Sequence, residues 1–394
     1  MANFVDEITV EQLETDPYPI YARLRREAPV AFVPAVNSWL ATRWDDVNAI
    51  AKDPDLFSAE DPNAPVCVAF GTPAIIHADG ETHKALRDGI APHYLPRKVE
   101  GYIEALVRPV AEELIGPLVA DGRAELMADY FEPISVLSLA RSFGVQDADV
   151  PTLRGWFHGL AQGAINFERD PERAATCAAT RSEIETTLQP ILDRLEQQPD
   201  GSPIAHMMHH GMPDGETRPR EFILPSILVT LLGGMQEPGH GAGSTLIALL
   251  RHPDQMAEVR ADMDGVLPRA VQEGIRWMAP IGTQIRMPTR DTELGGATVP
   301  KGQTIAAVVA SASRDESRFS DPDRFDLHRD EGSHASFGFG PHFCAGKWFA
   351  NAQIAMALRV LFENTKSIAL DETRPPEFRG WEFRAPTTLH MHLS

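Results

Sequence analysis

The sequence predicts a mostly α fold with a small β part. Three observations carry that expectation. Apolar residues recur at helical spacing through most of the first 260 positions. After Arg286 the pattern shortens into β-favouring runs separated by turn residues. No linker, repeat or low-complexity tract interrupts the 394 residues, so one domain over 1–394 is the economical reading.

In chain order, residues 11–26 place Leu13, Ile20, Tyr21 and Leu24 on one stripe, and 99–120 carry a longer one. Residues 133–143 and 151–165 continue the pattern. A long polar helix over 173–198 has its apolar face at Ile184, Leu188, Ile191, Leu192 and Leu195. Proline- and glycine-rich turns separate these segments at 61–65 and 198–202. Residues 292–302 read as short strands joined by turns, 304–310 as a further β run, and 321–336 as irregular. A last helix begins near Cys344 and ends about Phe362.

Composition narrows the function classes. Lys and Arg number 36 against 56 Asp and Glu, a net charge of −20, which opposes nucleic-acid binding. Cys67, Cys177 and Cys344 are too few and too scattered for a disulfide framework or a tetrahedral zinc site. Residues 1–7 lack the basic and apolar regions of a signal peptide. No apolar run approaches the roughly 18 residues of a membrane span. The expectation is a cytoplasmic protein with no membrane contact.

The most informative segment is Phe337-Gly338-Phe339-Gly340-Pro341-His342-Phe343-Cys344-Ala345-Gly346. Its glycines permit tight backbone approach, and Pro341 stiffens the loop. Cys344 sits just before a helix, where free N–H groups and the macrodipole favour a thiolate. Such a thiolate suits an axial position on haem iron; by itself, a lone cysteine in a glycine turn is more often inert.

The ten residues resemble the haem-binding signature of the cytochrome P450 superfamily, F-G-x-G-x-H-x-C-x-G, at every fixed position. The resemblance is to the soluble bacterial type and extends over nearly the whole chain. It implies a triangular helical domain with haem b held between a distal helix and the cysteine loop, Cys344 being the iron ligand. Phe337 and Gly338 then belong to the cofactor-binding stretch. Glu273 and Arg276 match the family's E-x-x-R, a structural pair tied to a downstream arginine, for which Arg324 is the candidate. His83 and Arg87, four apart on one helical face, resemble the D-P-P-E-H-x-x-x-R stretch without its prolines. With Arg286 and His342 they complete the set expected at the haem propionates, where guanidinium forks bond carboxylates.

The distal helix departs from the family. Where A-G-x-[DE]-T is usual, this chain has Gly233-Gly234-Met235-Gln236-Glu237. Gln236 replaces the acid and Glu237 the threonine. Pro238 cannot donate to the Gly234 carbonyl, so the helix should open there and leave an acceptor for a water. Glu237 beside an apolar pocket should have a raised pKa and could relay a proton, with Gln236 as a non-titrating partner.

Residues 233–240 also look like the branch that O-demethylates guaiacol and related methoxyphenols. That likeness implies a pocket of Phe70, Ile76, Phe167, Val229, Gly233 and Phe383, hydrogen abstraction from the methoxy methyl using O2, and collapse to a catechol and formaldehyde. It also implies electrons from a separate flavin/[2Fe–2S] reductase or a ferredoxin, docked on a local basic patch for which Lys347 and the arginines around Arg87 are candidates. Two readings stay open beside it: a hydroxylase of another small hydrophobic substrate, and a haem-thiolate protein that only binds a ligand or senses a gas.

Overall fold

The computed structural model describes residues 4–146 and 148–394. The 26-residue helix Pro96–Asp121 packs along the 18-residue helix Lys347–Asn364. It ends at Gly122, whose φ of 69° is the left-handed conformation that glycine adopts freely. Glu132–Phe143 and Val150–Ala164 fall within a residue of the expected bounds. Asp149 caps the second, its carboxylate accepting from the Thr152 N–H at 2.9 Å. Pro171–Gln197, capped by Asp170, buries Ile184, Leu188, Leu192 and Leu195 and packs along Val150–Ala164.

Two expectations fail near the N-terminus. Residues 11–26 form two helices, Val10–Thr15 and Tyr18–Glu27. Pro17 and Pro19 have no N–H for a continuous ladder, and the Thr9–Gln12 capping box starts the first helix independently. The first 60 residues also contain the strands Val30–Val33, Ser38–Ala41 and Phe57–Ser58. Their apolar runs are too short for periodicity to assign. Their pairing partners, Gln284–Pro288 and Ile305–Ala307, lie far along the chain.

These five strands make one sheet. Val30–Val33 pairs antiparallel with Ser38–Ala41, which runs parallel to the fully buried Ile305–Ala307. Gln284–Pro288 follows antiparallel, Arg286 facing Ile305 in register, and Phe57–Ser58 closes the edge. Thr292–Leu294 and Ala297–Val299 form a hairpin through Gly295 and Gly296, both at positive φ as a type I′ turn requires. The expected β run at 304–310 is the strand Ile305–Ala307 followed by a short helix, Val309–Ala312. Residues 321–336 hold no helix or strand, as expected.

Side chains order that irregular stretch. On the helix Leu267–Trp277, Arg276 forks onto Glu273, Nε to Oε2 at 2.7 Å and Nη2 to Oε1 at 2.8 Å. The pair was readable as a surface contact, but both residues are buried. Arg276 also donates to the carbonyls of Ser313, Pro322 and Arg324. Arg324 is not the third member of the ion cluster: its side chain is exposed and only its carbonyl takes part. Arg329 fills that place, donating from Nε to Glu273 Oε1 at 3.2 Å. Ser336 Oγ then bonds the Ile275 carbonyl at 3.0 Å, which anchors the chain just before the cysteine loop.

Candidate active site

A cavity of ≈ 360 Å³ lies between the cysteine loop, the distal helices and the C-terminal turn. Its floor is the loop 335–346. The Cys344 N–H donates to the Phe337 carbonyl at 2.9 Å, and Gly338 N–H to Ala335 at 2.7 Å. Gly338 and Gly340 have φ of 68° and 65°. A Cβ on Gly340 would run into the Ala51 carbonyl, so that position needs glycine on two counts, whereas Gly338, whose Cβ would meet only the end of the Gln284 side chain, needs it for its φ. Cys344 stands three residues before the helix Lys347–Asn364 and lines the cavity. Burial raises its thiol pKa, against the Gly346 and Lys347 N–H groups, which bond the sulfur, and the Arg87 and Lys347 charges. The same loop that buries the sulfur therefore supplies what favours its thiolate.

One end of the cavity gathers cations. His77, Arg87, Arg286 and His342 line it. His83 stacks on His342 with ring centroids 4.1 Å apart. Asp79 is the carboxylate among them. Its Oδ1 lies 3.3 Å from His342 Nε2, and its other oxygen accepts from Ser58 Oγ and the Ala59 N–H. Those bonds overcome burial and hold Asp79 down at about 2. His83 Nε2 and Arg286 Nη2 are buried without a protein partner. Burial, followed by neighbouring positive charge, lowers His83 to about 4, and burial lowers Arg286 to about 10. Buried donors with no acceptor are costly. This set fits a bound group that carries carboxylates.

The distal wall is a broken helix. Arg220–Met235 ends and Glu237–Arg251 begins with Gln236 between them, at φ −110° and ψ −27°. The break sits where Pro238, in the first turn of the second helix, leaves the Gly234 carbonyl without its donor. Gly234 and Glu237 line the cavity. Glu237 is buried, with Oε1 unpartnered and Oε2 3.3 Å from the Gln236 N–H. Burial pushes its pKa up to about 8, against the backbone N–H groups of Glu237 and Gln236. Gln236 is buried beside the break, its Nε2 unpartnered, and is not part of the cavity wall.

The cytochrome P450 family model matches residues 206–392. Over 375 residues the chain is 32% identical to cytochrome P450 monooxygenase PikC of Streptomyces venezuelae, covering 92% of this chain and 86% of that protein. The chain belongs to the cytochrome P450 family. It is also 30% identical to 6-deoxyerythronolide B hydroxylase of Saccharopolyspora erythraea, over 93% of each chain. The structure of cytochrome P450 CYP109Q5 from Chondromyces apiculatus superposes with a TM-score of 0.84 at 25% identity, covering 98% of this chain and 97% of that one. The P450 fold expected from the sequence is therefore present, and such proteins are monooxygenases that bind haem b through a cysteine thiolate. In this P450, Cys344 is the cysteine at the cavity; Cys67 and Cys177 are buried elsewhere.

The sequence-derived pocket assembles in part. Val229, Gly233, Phe167 and Phe383 line the cavity, and Ile76, 38% exposed, stands at its rim. Phe70 does not: it is fully buried in the main core at the end of a short helix, Pro65–Phe70, where packing claims its ring. His83 and Gly338 support the wall from behind rather than lining it. Arg87 faces the cavity, so it is unavailable for a surface patch. Lys347 Nζ lies 5.3 Å from the ring centroids of Phe343 and Trp348, the latter 45% exposed. The sequence reading missed His77, whose Nδ1 lies 3.0 Å from the Ala59 carbonyl; a histidine directly after the apolar pair Ile75-Ile76 was its only signal. It also missed Thr283 and Glu382. Among the described residues no helix is long and apolar enough to cross a membrane.

Proposed function

We propose that this P450 O-demethylates a methoxyphenol, guaiacol or a 4-alkylguaiacol, to a catechol and formaldehyde. The reaction consumes O2, two electrons and two protons and also releases one water. The supporting observation is the distal half of the cavity. Phe167 and Phe383 stand in a mostly apolar wall, and a Cβ built on Gly233 would find no heavy atom within 4 Å. A flat ring can pack there by edge and face, with room for its substituents. Phe167 packs at a tilt against Trp381 at 5.3 Å and Phe383 meets Phe157 edge-on at 5.7 Å, so both rings are held in place.

Haem b, when bound, supplies the oxygen chemistry at the methoxy carbon. The chain's own residues do the rest. Cys344 provides the thiolate, with Phe337 and Gly338 shaping its loop. Arg87, Arg286 and His342 would hold the carboxylates, with His83 stacked behind His342. Glu237 holds a proton at neutral pH and can pass it from Oε1 into the cavity, beside the freed Gly234 carbonyl, while Gln236 positions the break. Electrons come from a separate flavin/[2Fe–2S] reductase or a ferredoxin that meets the surface around Lys347 and Trp348, in the cytoplasm.

The test is a spectral titration of the haem-loaded protein with a panel of aryl ethers, followed by formaldehyde assay with a reductase. Methoxyphenols should give type I shifts and formaldehyde; no shift with any of them refutes the proposal. Kinship with 6-deoxyerythronolide B hydroxylase favours a second reading, hydroxylation of a larger hydrophobic substrate. In that case macrolides, and not methoxyphenols, shift the spectrum.

A further inference from the structure

Two carboxyl groups line the cavity, and the mechanism uses only Glu237. The other, Glu382, sits in the C-terminal turn between Trp381 and Phe383. That turn is fastened to residues 280–283. Gly282 N–H donates to the Glu382 carbonyl at 2.9 Å, Ile281 bridges Phe383, and Arg384 N–H donates to the Pro280 carbonyl at 2.9 Å. The backbone around Glu382 is therefore fixed by the two hydrogen bonds that make up this bridge.

Its side chain has little to do within the protein. Both carboxylate oxygens approach one hydroxyl, Thr283 Oγ1, at 2.8 and 2.9 Å. A threonine carries one hydroxyl hydrogen, so at any moment one of the two oxygens lacks it. No cation pairs with Glu382 among the described residues. The adjacent Arg384 is spent on the carbonyls of Gly380, Glu14 and Thr15. The other ionisable groups nearby, Glu14 and the buried Tyr21, offer no positive charge. Burial raises Glu382 to about 7, opposed by the hydroxyl and the backbone N–H of Thr283 and helped by Glu14. Protonated or not, one oxygen remains able to accept.

We propose that Glu382, backed by Thr283, recognises substrate by accepting a hydrogen bond from a hydroxyl on its aromatic ring. The aromatic flanks of the turn, Trp381 against Phe167 and Phe383 against Phe157, place that acceptor at the edge of the surface where the ring would pack. An apolar pocket with one such acceptor fixes orientation as well as identity, because a ring turned the wrong way leaves the acceptor unpaired. This inference rests on the methoxyphenol reading and specifies which end of the substrate is read.

The experiment compares guaiacol with 1,2-dimethoxybenzene, its twin without the hydroxyl, by spectral titration of the haem-loaded protein. Wild type should bind guaiacol on the order of tenfold to a hundredfold more tightly, the range for a bond to a charged acceptor. Glu382→Leu should collapse that ratio by weakening guaiacol alone. Glu382→Gln, whose neutral amide oxygen still accepts, should keep a preference of about twofold to tenfold, the range for a neutral bond. Thr283→Val, which removes the hydroxyl donor but leaves the backbone N–H and the acceptor, should keep or widen the wild-type ratio. A merely structural role for Glu382 would weaken both ligands alike. Equal binding of the two ligands to wild type, or equal loss of both in Glu382→Leu, overturns the subsite while the methoxyphenol reading stands. Failure of both ligands to shift the wild-type spectrum overturns the methoxyphenol reading, and the subsite with it.

Discussion

Replacing Glu237 with Gln turns a titratable group into a neutral isostere, and the pH dependence of stability then reports what burial does to the carboxyl. In the unfolded chain Glu237 titrates near 4.5; burial in the fold raises it to about 8. Between those values the unfolded state has released a proton that the folded state retains. Stability therefore falls as pH rises, being full below 4.5 and lost progressively toward 8. At about 1.4 kcal/mol per unit, the wild type gives up roughly 3 kcal/mol by pH 7, against less than about 1 kcal/mol at pH 5. Glu237→Gln carries none of this dependence, and any constant cost of the amide cancels in the comparison. Guanidinium unfolding of the haem-loaded wild type and variant at pH 5, 6, 7 and 8 measures the gap. The variant should gain on the wild type by about 2 to 3 kcal/mol from pH 5 to 7. Parallel curves would refute a buried, neutral Glu237.

The same substitution probes proton delivery. Product formed per NADH consumed should drop in Glu237→Gln and hydrogen peroxide should rise; unchanged coupling means that Glu237 relays nothing. Glu273→Gln strips the counter-charge from the buried Arg276 and Arg329, and should destabilise by about 3 to 5 kcal/mol, read as a fall in denaturation midpoint. Arg286→Leu removes a buried guanidinium whose Nη2 has no protein partner from the cationic end of the cavity. Haem transfer to an acceptor globin should become at least about tenfold faster, as expected for one lost charge-assisted bond; an unchanged rate places the carboxylates elsewhere.

What could be read in the sequence divides by range. Helices with a local cap and a clear stripe, such as Val150–Ala164 behind Asp149, declare both ends within a residue. The cysteine loop is equally legible, because its two glycines answer to backbone geometry that any side chain would violate. Strands of three or four residues were not legible where their partner lies far away. Ser38–Ala41 exists as a strand because Ile305–Ala307 lies beside it. The site shows the same division. Glu237, next to the proline that breaks its helix, was visible through local chemistry. Phe70 was misplaced because nothing local distinguishes a core phenylalanine from a pocket one. Arg329 was passed over for Arg324 because turn geometry, not spacing, decides which guanidinium points inward. Glu382 had no local signal, since its meaning comes from Thr283, 99 residues away.

The stretch between Ser313 and the cysteine loop has a practical consequence for anyone redesigning this enzyme. Having no helix or strand over 321–336, it invites treatment as a replaceable loop. Yet its carbonyls are bolted to Arg276 and its far end to Ile275, so it works as a strut of fixed length. The Asp326 and Leu327 amides, which donate to Glu273 and Gln255, should exchange slowly. One residue added or removed there would be passed on, undamped, to the position of the sulfur. Chimeras with other P450s therefore need crossover points outside this strut, or donors that match it residue for residue.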